Sequence, residues 1–196
     1  MFAFGIFQGR RLRRGTLTGS IRAIGGLFQF GQRCAQNLPR RENNRTLDEI
    51  LGWPDAELEA VHDFIQWLFP LPEMSGANPS APVLDATTID AFRGSEDLQQ
   101  RLRQSFMRML RFYELEFHQG VVQQAANFSA RSVNWLSPGN HNHLRLTRML
   151  RSLRLLGLAA ESAALYKALS EIYGSHSGRI TQRTYQFWTE ATALGE

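Results

Sequence analysis

The fold of this chain depends on the segment DAELEAVHDFIQWLFP, residues 55–70. At 100° per residue its apolar side chains share a broad arc, which predicts a helix from Asp55 to Phe69. Asp55 can cap the start of this helix, and Pro70 and Pro72 prevent its continuation. The arc contains Leu58, Val61, Ile65, Leu68 and Phe69, and Phe64 and Trp67 widen it. A helix that is apolar around so much of its surface is expected at the centre of a bundle.

A narrow polar stripe remains on the predicted helix, formed by Glu59, His62, Asp63 and Gln66. In a central helix these groups need partners, because an unsatisfied buried polar group costs about 1–3 kcal/mol. One interpretation is an internal hydrogen-bond network that anchors the following loop, residues 70–82, at Asn78 and Pro79. The other is a ligand pocket floored by Trp67. The residues alone leave both interpretations open.

A second informative segment is NHNHLRLTR, residues 140–148. Asn142 can cap a helix from His143 to about Leu156, which Gly157 ends. One face carries Leu146, Met149, Leu150, Leu153 and Leu156, and the other carries Arg145, Arg148, Arg151 and Arg154. Such an arginine face is usually solvated. Because Arg145 and Arg148 lie near the helix start, where the dipole disfavours cations, we expect them to pair with Glu59, with Asp63 or with a ligand carboxylate.

The remaining periodicity predicts further helices. A short one runs from Asp85 to Arg93, and Ser95 opens a longer one with apolar residues as far as Phe117, closed near Gly120. Residues 121–137 indicate a loose helix or turn. Two final helices are predicted over residues 159–173, closed by Gly174, and over residues 179–194, with Phe187, Trp188, Ala191 and Leu194 inward. No alternating run of strand length follows Thr46. The sequence therefore predicts an all-α fold, an irregular bundle of about six helices over residues 46–196.

Charge divides the chain unevenly. Residues 1–45 contain nine arginines and one acid, a net charge of +8, whereas residues 46–196 have a net charge of −4. The overall pI near 9.8 is therefore a property of this basic arm and does not mark the whole protein as a nucleic-acid binder. The arm suggests targeting, weak binding to anionic lipid or nucleic acid, or a disordered extension. Its apolar start precedes its charges, the reverse of a secretory signal.

Recognisable catalytic chemistry is scarce in the sequence. His141 and His143 are two residues apart and lack the spacing of a helical zinc site, so we expect no metal. The sequence contains no P-loop and no dinucleotide fingerprint, so we expect no cofactor. The single cysteine, Cys34, lies in the arm with no structured base nearby. The carboxylate pairs Glu57/Glu59 and Glu114/Glu116 would diverge by about 200° on helices. No apolar stretch reaches the roughly 20 residues of a membrane-spanning helix. These patterns favour a non-enzymatic, intracellular protein, soluble or peripherally membrane-associated.

The segments at residues 62–70, 78–79 and 140–148 together resemble the N-terminal domain of the opioid growth factor receptor family. There an HDYIQWLFP-type helix, an NP loop and an NxLRxTR helix occur in the same order. The resemblance extends from about Thr46 to the C-terminus. It implies a receptor for the pentapeptide Met-enkephalin that is associated with the nuclear envelope and unrelated to seven-helix opioid receptors. No peptide-contacting residues are carried over from the family.

We therefore predict a helical binding domain with a short peptide or a protein as its partner. The alternative is a structural or scaffold module without a small ligand, and an enzyme is the third possibility. The candidate ligand-binding residues are His62, Asp63, Gln66, Trp67, Asn78, Asn142, Arg145 and Arg148. In this hypothesis the peptide carboxylate meets Arg145 or Arg148, and an aromatic ring meets Trp67.

Overall fold

The computed structural model describes residues 45–79, 81–176 and 178–193. These ranges contain nine α-helices and a two-stranded hairpin, so the all-α prediction is confirmed, with more and shorter helices than expected. The helices are α1 (Leu47–Leu51), α2 (Asp55–Ala60), α3 (Ile65–Leu68), α4 (Ala86–Arg93), α5 (Glu96–Phe112), α6 (Phe128–Arg131), α7 (Asn142–Leu155), α8 (Ala159–Ser175) and α9 (Gln182–Ala193). The strands are β1 (Leu115–His118) and β2 (Val121–Gln124). Cys34 and Leu194 lie outside the described residues.

The predicted helix from Asp55 to Phe69 is wrong as one element, because it breaks into α2 and α3. Val61 is extended, with φ −93° and ψ 131°, so the helix stops at Ala60 and restarts at Ile65. The polar stripe is therefore divided between the two short helices and the connection between them, residues 61–64. Asp55 is the first helical residue rather than the cap, and its carboxylate forms ion pairs elsewhere.

Local capping hydrogen bonds fix the starts of α1, which was not predicted, and of α4 and α5, which were. Thr46 accepts a hydrogen bond from the Glu49 backbone N–H while the Glu49 carboxylate accepts one from Thr46, a complete capping box for α1. Asp85 caps α4 through the Thr88 N–H, and Ser95 caps α5 through the Leu98 N–H. These starts need only short-range hydrogen bonds.

The hairpin contradicts the predicted helix through Phe117 and the expected absence of strands. Helix α5 ends at Phe112, and β1 pairs antiparallel with β2 through a turn at Gln119 and Gly120, whose φ angles are +49° and +81°. Two positive φ angles suit a tight hairpin turn, and glycine adopts one of them without strain. Each strand buries a single side chain, Leu115 or Val122. That leaves too little alternation to recognise in the sequence.

Helices α7, α8 and α9 form the C-terminal part of the core. The predicted leucine face of α7 is confirmed: Leu146, Met149, Leu150, Leu153 and Leu156 are fully buried. Gly157 has a φ of +98° and follows the end of α7, as predicted. Gly174 does not end α8, which continues to Ser175. On α9, Trp188 and Ala191 are buried, whereas Phe187 is only half-buried.

Within the described ranges, every helix is too short or too polar to cross a lipid bilayer.

Candidate functional site

The Arg145 side chain holds the two motif segments together. Its Nη1 donates to the Leu58 carbonyl oxygen at 2.9 Å and to Asn142 Oδ1 at 3.1 Å, and its Nη2 donates to the Val61 carbonyl oxygen at 2.9 Å. The Glu59 carboxylate lies 4.0 Å away. Burial lowers the pKa of Arg145. In a continuous helix the Leu58 and Val61 carbonyls would accept bonds from later N–H groups, so Arg145 takes up the acceptors that the helix break exposes.

Asn142 belongs to the same buried cluster. Its Oδ1 also accepts a bond from the Tyr113 hydroxyl at 3.3 Å, and its Nδ2 donates to Glu59 Oε2 at 3.0 Å. Burial raises the pKa of Tyr113 above its ordinary value. The predicted capping role of Asn142 is wrong, since the residue is the first of α7 and is fully buried. Its backbone N–H instead donates to Asn140 Oδ1.

Further along α7, two more side chains bind the end of the first motif. Arg148 Nη1 donates to the Phe69 carbonyl oxygen at 2.9 Å, and Ser152 Oγ donates to the Pro70 carbonyl oxygen at 2.9 Å. Burial lowers the pKa of Arg148 as well. The expected carboxylate partners of Arg145 and Arg148 are thus largely replaced by backbone carbonyls. Two arginines of the face that looks solvated in sequence, Arg145 and Arg148, therefore bind the backbone of residues 58–70.

The polar residues of the first motif bind the neighbouring loop. Asn78 Nδ2 donates to the Asp63 carbonyl oxygen at 3.0 Å, and its backbone N–H donates to Ser75 Oγ at 3.3 Å. Gln66 Nε2 reaches the same hydroxyl at 3.4 Å. The Asp63 carboxylate pairs with Arg45 at 2.6 Å rather than with an arginine of α7. These contacts correspond to the internal network that anchors the loop.

The two other candidates of the first motif lie nearer the surface. His62 is exposed, its Nδ1 lies 2.9 Å from the Ala60 carbonyl oxygen, and its ring centroid lies 5.0 Å from that of His141. Trp67 is half-buried. The structure therefore brings Asn142 and Arg145 together in one cluster and Asp63, Gln66 and Asn78 in another. A ligand-binding role for any of the eight candidates stays a prediction.

A charged cleft opens beside these clusters, with a volume of about 540 Å³. Charged side chains of both signs line it, together with the partly buried indole of Trp53. The charged lining residues are Asp55, Arg108, Arg111, Glu114, Glu116 and Arg131. A second cavity of about 380 Å³ shares Asp55 and Arg131 with the cleft and is lined also by Asn142. Both volumes lie in the range of small-ligand sites.

Sequence reasoning missed this cleft because its charges come from distant elements. Asp55 starts α2, Arg108 lies on α5, Glu114 precedes β1 and Arg131 ends α6. The one available signal was the Glu114/Glu116 pair, which was assigned to a helix. In the structure Glu114 is buried at a φ of +56° and Glu116 is exposed on β1.

The stability of the fold should fall as the pH drops below about 6.5, the ordinary pKa of histidine. His143 is buried, and its Nε2 donates to the Trp135 carbonyl oxygen at 3.0 Å, while its Nδ1 has no hydrogen-bond partner among the described residues. Burial lowers the pKa of His143, and burial followed by the Arg145 charge lowers that of His141. Just below pH 6.5 the histidines of the unfolded chain therefore bind more protons than those of the folded chain.

Urea unfolding between about pH 8 and pH 5 measures the effect. We expect a constant free energy of unfolding above about pH 6.5 and a decline below it, of at most about 1.4 kcal/mol per pH unit for each histidine. His143→Gln should reduce the slope, because glutamine keeps an N–H donor without titrating. An unchanged slope in this variant would contradict the assignment.

The fold and the site define a mainly helical domain whose two motif segments are joined by a buried arginine beside a charged cleft. Residues 36–189 match the family model described as the opioid growth factor receptor conserved region. The chain therefore belongs to the opioid growth factor receptor family, and the predicted resemblance is confirmed.

Full-length relatives agree with this family assignment. The opioid growth factor receptors of Mus musculus and Homo sapiens are 38% identical over 135 and 137 residues, which cover 66% of this chain and 21% and 20% of the respective receptors. The opioid growth factor receptor-like protein 1 of Rattus norvegicus is 32% identical over 139 residues, 66% of this chain and 29% of that protein. The chain thus spans less than a third of these relatives. No solved structure matches it.

Proposed function

We propose that the protein is a non-enzymatic binding module of the opioid growth factor receptor type and that it takes a short enkephalin-type peptide in the charged cleft. The observation that carries the proposal is the cleft itself, which combines an aromatic wall with charges of both signs in about 540 Å³. A short peptide offers matching groups: an ammonium at one end, a carboxylate at the other and aromatic rings between them.

The cleft supplies a better contact for a peptide carboxylate than the arginines of the second motif. Arg145 already donates three hydrogen bonds and is buried. Arg111 lines the cleft, is exposed, and makes no side-chain hydrogen bond or ion pair within the described ranges. We therefore place the carboxylate contact at Arg111. Trp53, rather than Trp67, would pack against an aromatic ring of the peptide.

Calorimetric titration of the full chain tests the proposal. Met-enkephalin should give saturable heat, and a scrambled pentapeptide of the same composition should give none. Arg111→Ala should weaken binding, whereas Arg183→Ala, on the surface of α9 outside the cleft, should leave it unchanged. Equal heat from both peptides, or no heat from either, would reject an enkephalin-type ligand.

A scaffold without a small ligand is the second candidate, and a specific observation favours it. The motif residues Asn78, Asn142, Arg145 and Arg148 all bind other parts of the same chain. Thermal melts of Trp67→Phe, Asn78→Ala and Arg145→Ala, combined with peptide titration of Arg111→Ala, distinguish the two candidates. The scaffold is supported if all three motif variants lose stability and no substitution at the surface changes peptide binding. Unchanged melting with loss of binding supports a ligand site at the motif.

A further inference from the structure

An alternating chain of four charged side chains crosses the charged cleft. Arg108 Nη2 lies 2.8 Å from Asp55 Oδ1, Asp55 Oδ2 lies 2.9 Å from Arg131 Nη2, and Arg131 Nε lies 2.7 Å from Glu114 Oε1. The two ends of this chain are buried: the side chains of Arg108 and Glu114 are each 7% exposed. Arg131 is 49% exposed. Arg131 is thus the accessible cation between two carboxylates.

The ion pair between Arg131 and Glu114 lacks the alignment of a hydrogen bond. Although the two atoms are 2.7 Å apart, no donor within the described ranges is aligned to form a hydrogen bond with Glu114 Oε1. A buried carboxylate oxygen normally accepts a hydrogen bond, because its desolvation is otherwise not offset. A better-aligned N–H donor in place of Arg131 would therefore satisfy Glu114 Oε1 more fully.

We propose that Asp55 and Glu114 form a recognition site for the cationic group of a ligand, an ammonium or a guanidinium, and that Arg131 occupies this site until the ligand displaces it. The inference deepens the proposed function and rests on it in one respect, that the cation is the amino terminus of the bound peptide. The peptide would then lie with its amino terminus at Glu114 and its carboxylate at Arg111.

The burial of the four groups decides which of them leaves. Arg131 ends the single-turn helix α6 and is half exposed, so its guanidinium can regain hydration outside the cleft. Arg108 cannot move as easily, because its Nη2 also donates to the Trp53 carbonyl oxygen at 2.7 Å. Once Arg131 has moved, the buried Glu114 charge is left unpaired, which is strongly unfavourable. A cationic ligand group relieves this cost, whereas an anion increases it.

Peptide binding to the full chain gives the first test, by calorimetry with Met-enkephalin and its N-acetyl form. Acetylation removes the cation, so it should weaken binding by roughly tenfold or more. Glu114→Gln should weaken binding of the free-amine peptide to a similar extent, and Glu171→Gln, exposed on α8, is the matched control. Arg131→Ala should tighten binding, because the ligand no longer displaces a side chain. Equal affinity of the two peptides, or weaker binding to Arg131→Ala, would overturn the inference and leave the proposed function standing.

A second test does not depend on a peptide. Tyramine carries an ammonium and an aromatic ring, and 4-ethylphenol is its uncharged analogue. Titration followed by the NMR signal of the Trp53 indole N–H should show saturable shifts with tyramine alone, and Glu114→Gln should abolish them. If tyramine binds in this manner and Met-enkephalin does not, the cation site stands and the proposed peptide ligand is wrong. If tyramine and 4-ethylphenol behave alike, there is no cation site.

Discussion

Replacing Arg145 with alanine should lower the free energy of unfolding by about 3–5 kcal/mol. This is the usual cost of removing one member of a buried, paired set of polar and charged groups. The substitution leaves the Leu58 and Val61 carbonyl oxygens without the donor that satisfies them, and each unsatisfied buried acceptor costs about 1–3 kcal/mol. It also removes one of the two donors that Asn142 Oδ1 has among the described residues and leaves only the Tyr113 hydroxyl. Domains of this size are stabilised by only about 5–15 kcal/mol, so the variant should be close to the limit of folding.

Urea unfolding monitored by circular dichroism measures this loss, and α7 provides a matched control. Arg151 lies on the same helix and pairs with the exposed Glu73 at 2.6 Å, so Arg151→Ala should cost no more than about 1 kcal/mol. Arg145→Lys should remain destabilised, because an ammonium cannot form the fork that reaches both carbonyls. Similar stabilities for Arg145→Ala and Arg151→Ala would contradict the structural role of Arg145.

Replacing Trp188 with alanine should cost about 3–5 kcal/mol, the usual range for truncating a buried aromatic side chain. Trp188 is fully buried, and its indole N–H donates to the His143 carbonyl oxygen at 3.1 Å. Its ring packs edge-to-face against the His143 imidazole, with the centroids 5.7 Å apart. One side chain thus contributes both apolar burial and a hydrogen bond that fixes α9 against α7.

The neighbouring aromatic residue supplies the comparison for this substitution. Phe187 is half-buried beside Arg183, so Phe187→Ala should cost clearly less than Trp188→Ala. Thermal melting of both variants, with hydrogen exchange of the amides of α9, gives the measurement. Trp188→Ala should speed exchange throughout α9. If the two variants have the same melting temperature, α9 does not depend on Trp188 for its position.

The family motifs and the charged cleft differ in what their side chains contact. Arg145, Arg148 and Asn78 each donate to a backbone carbonyl oxygen of the same chain. Of the motif candidates, Asn142 reaches a cavity, the one that adjoins the cleft. We therefore expect substitutions in the motifs to act mainly on stability and substitutions around Glu114 to act mainly on binding.

The sequence by itself determined the family, the helical class and most helix starts. These features depend on signals that a few neighbouring residues contain, such as the caps at Asp85 and Ser95. The buried face of α7 was equally evident, since its leucines repeat at the helical period.

Only the tertiary structure decided the break in the predicted 55–69 helix and the position of the cleft. The break depends on Arg145, which lies 87 residues from Leu58 and 84 from Val61, and no local pattern indicates that a distant guanidinium replaces helical N–H donors. The cleft depends on Asp55 meeting Arg108 and Arg131, which lie 53 and 76 residues away. Local propensity decides where a helix can form, whereas long-range partners for buried polar groups decide where it stops and which charges meet.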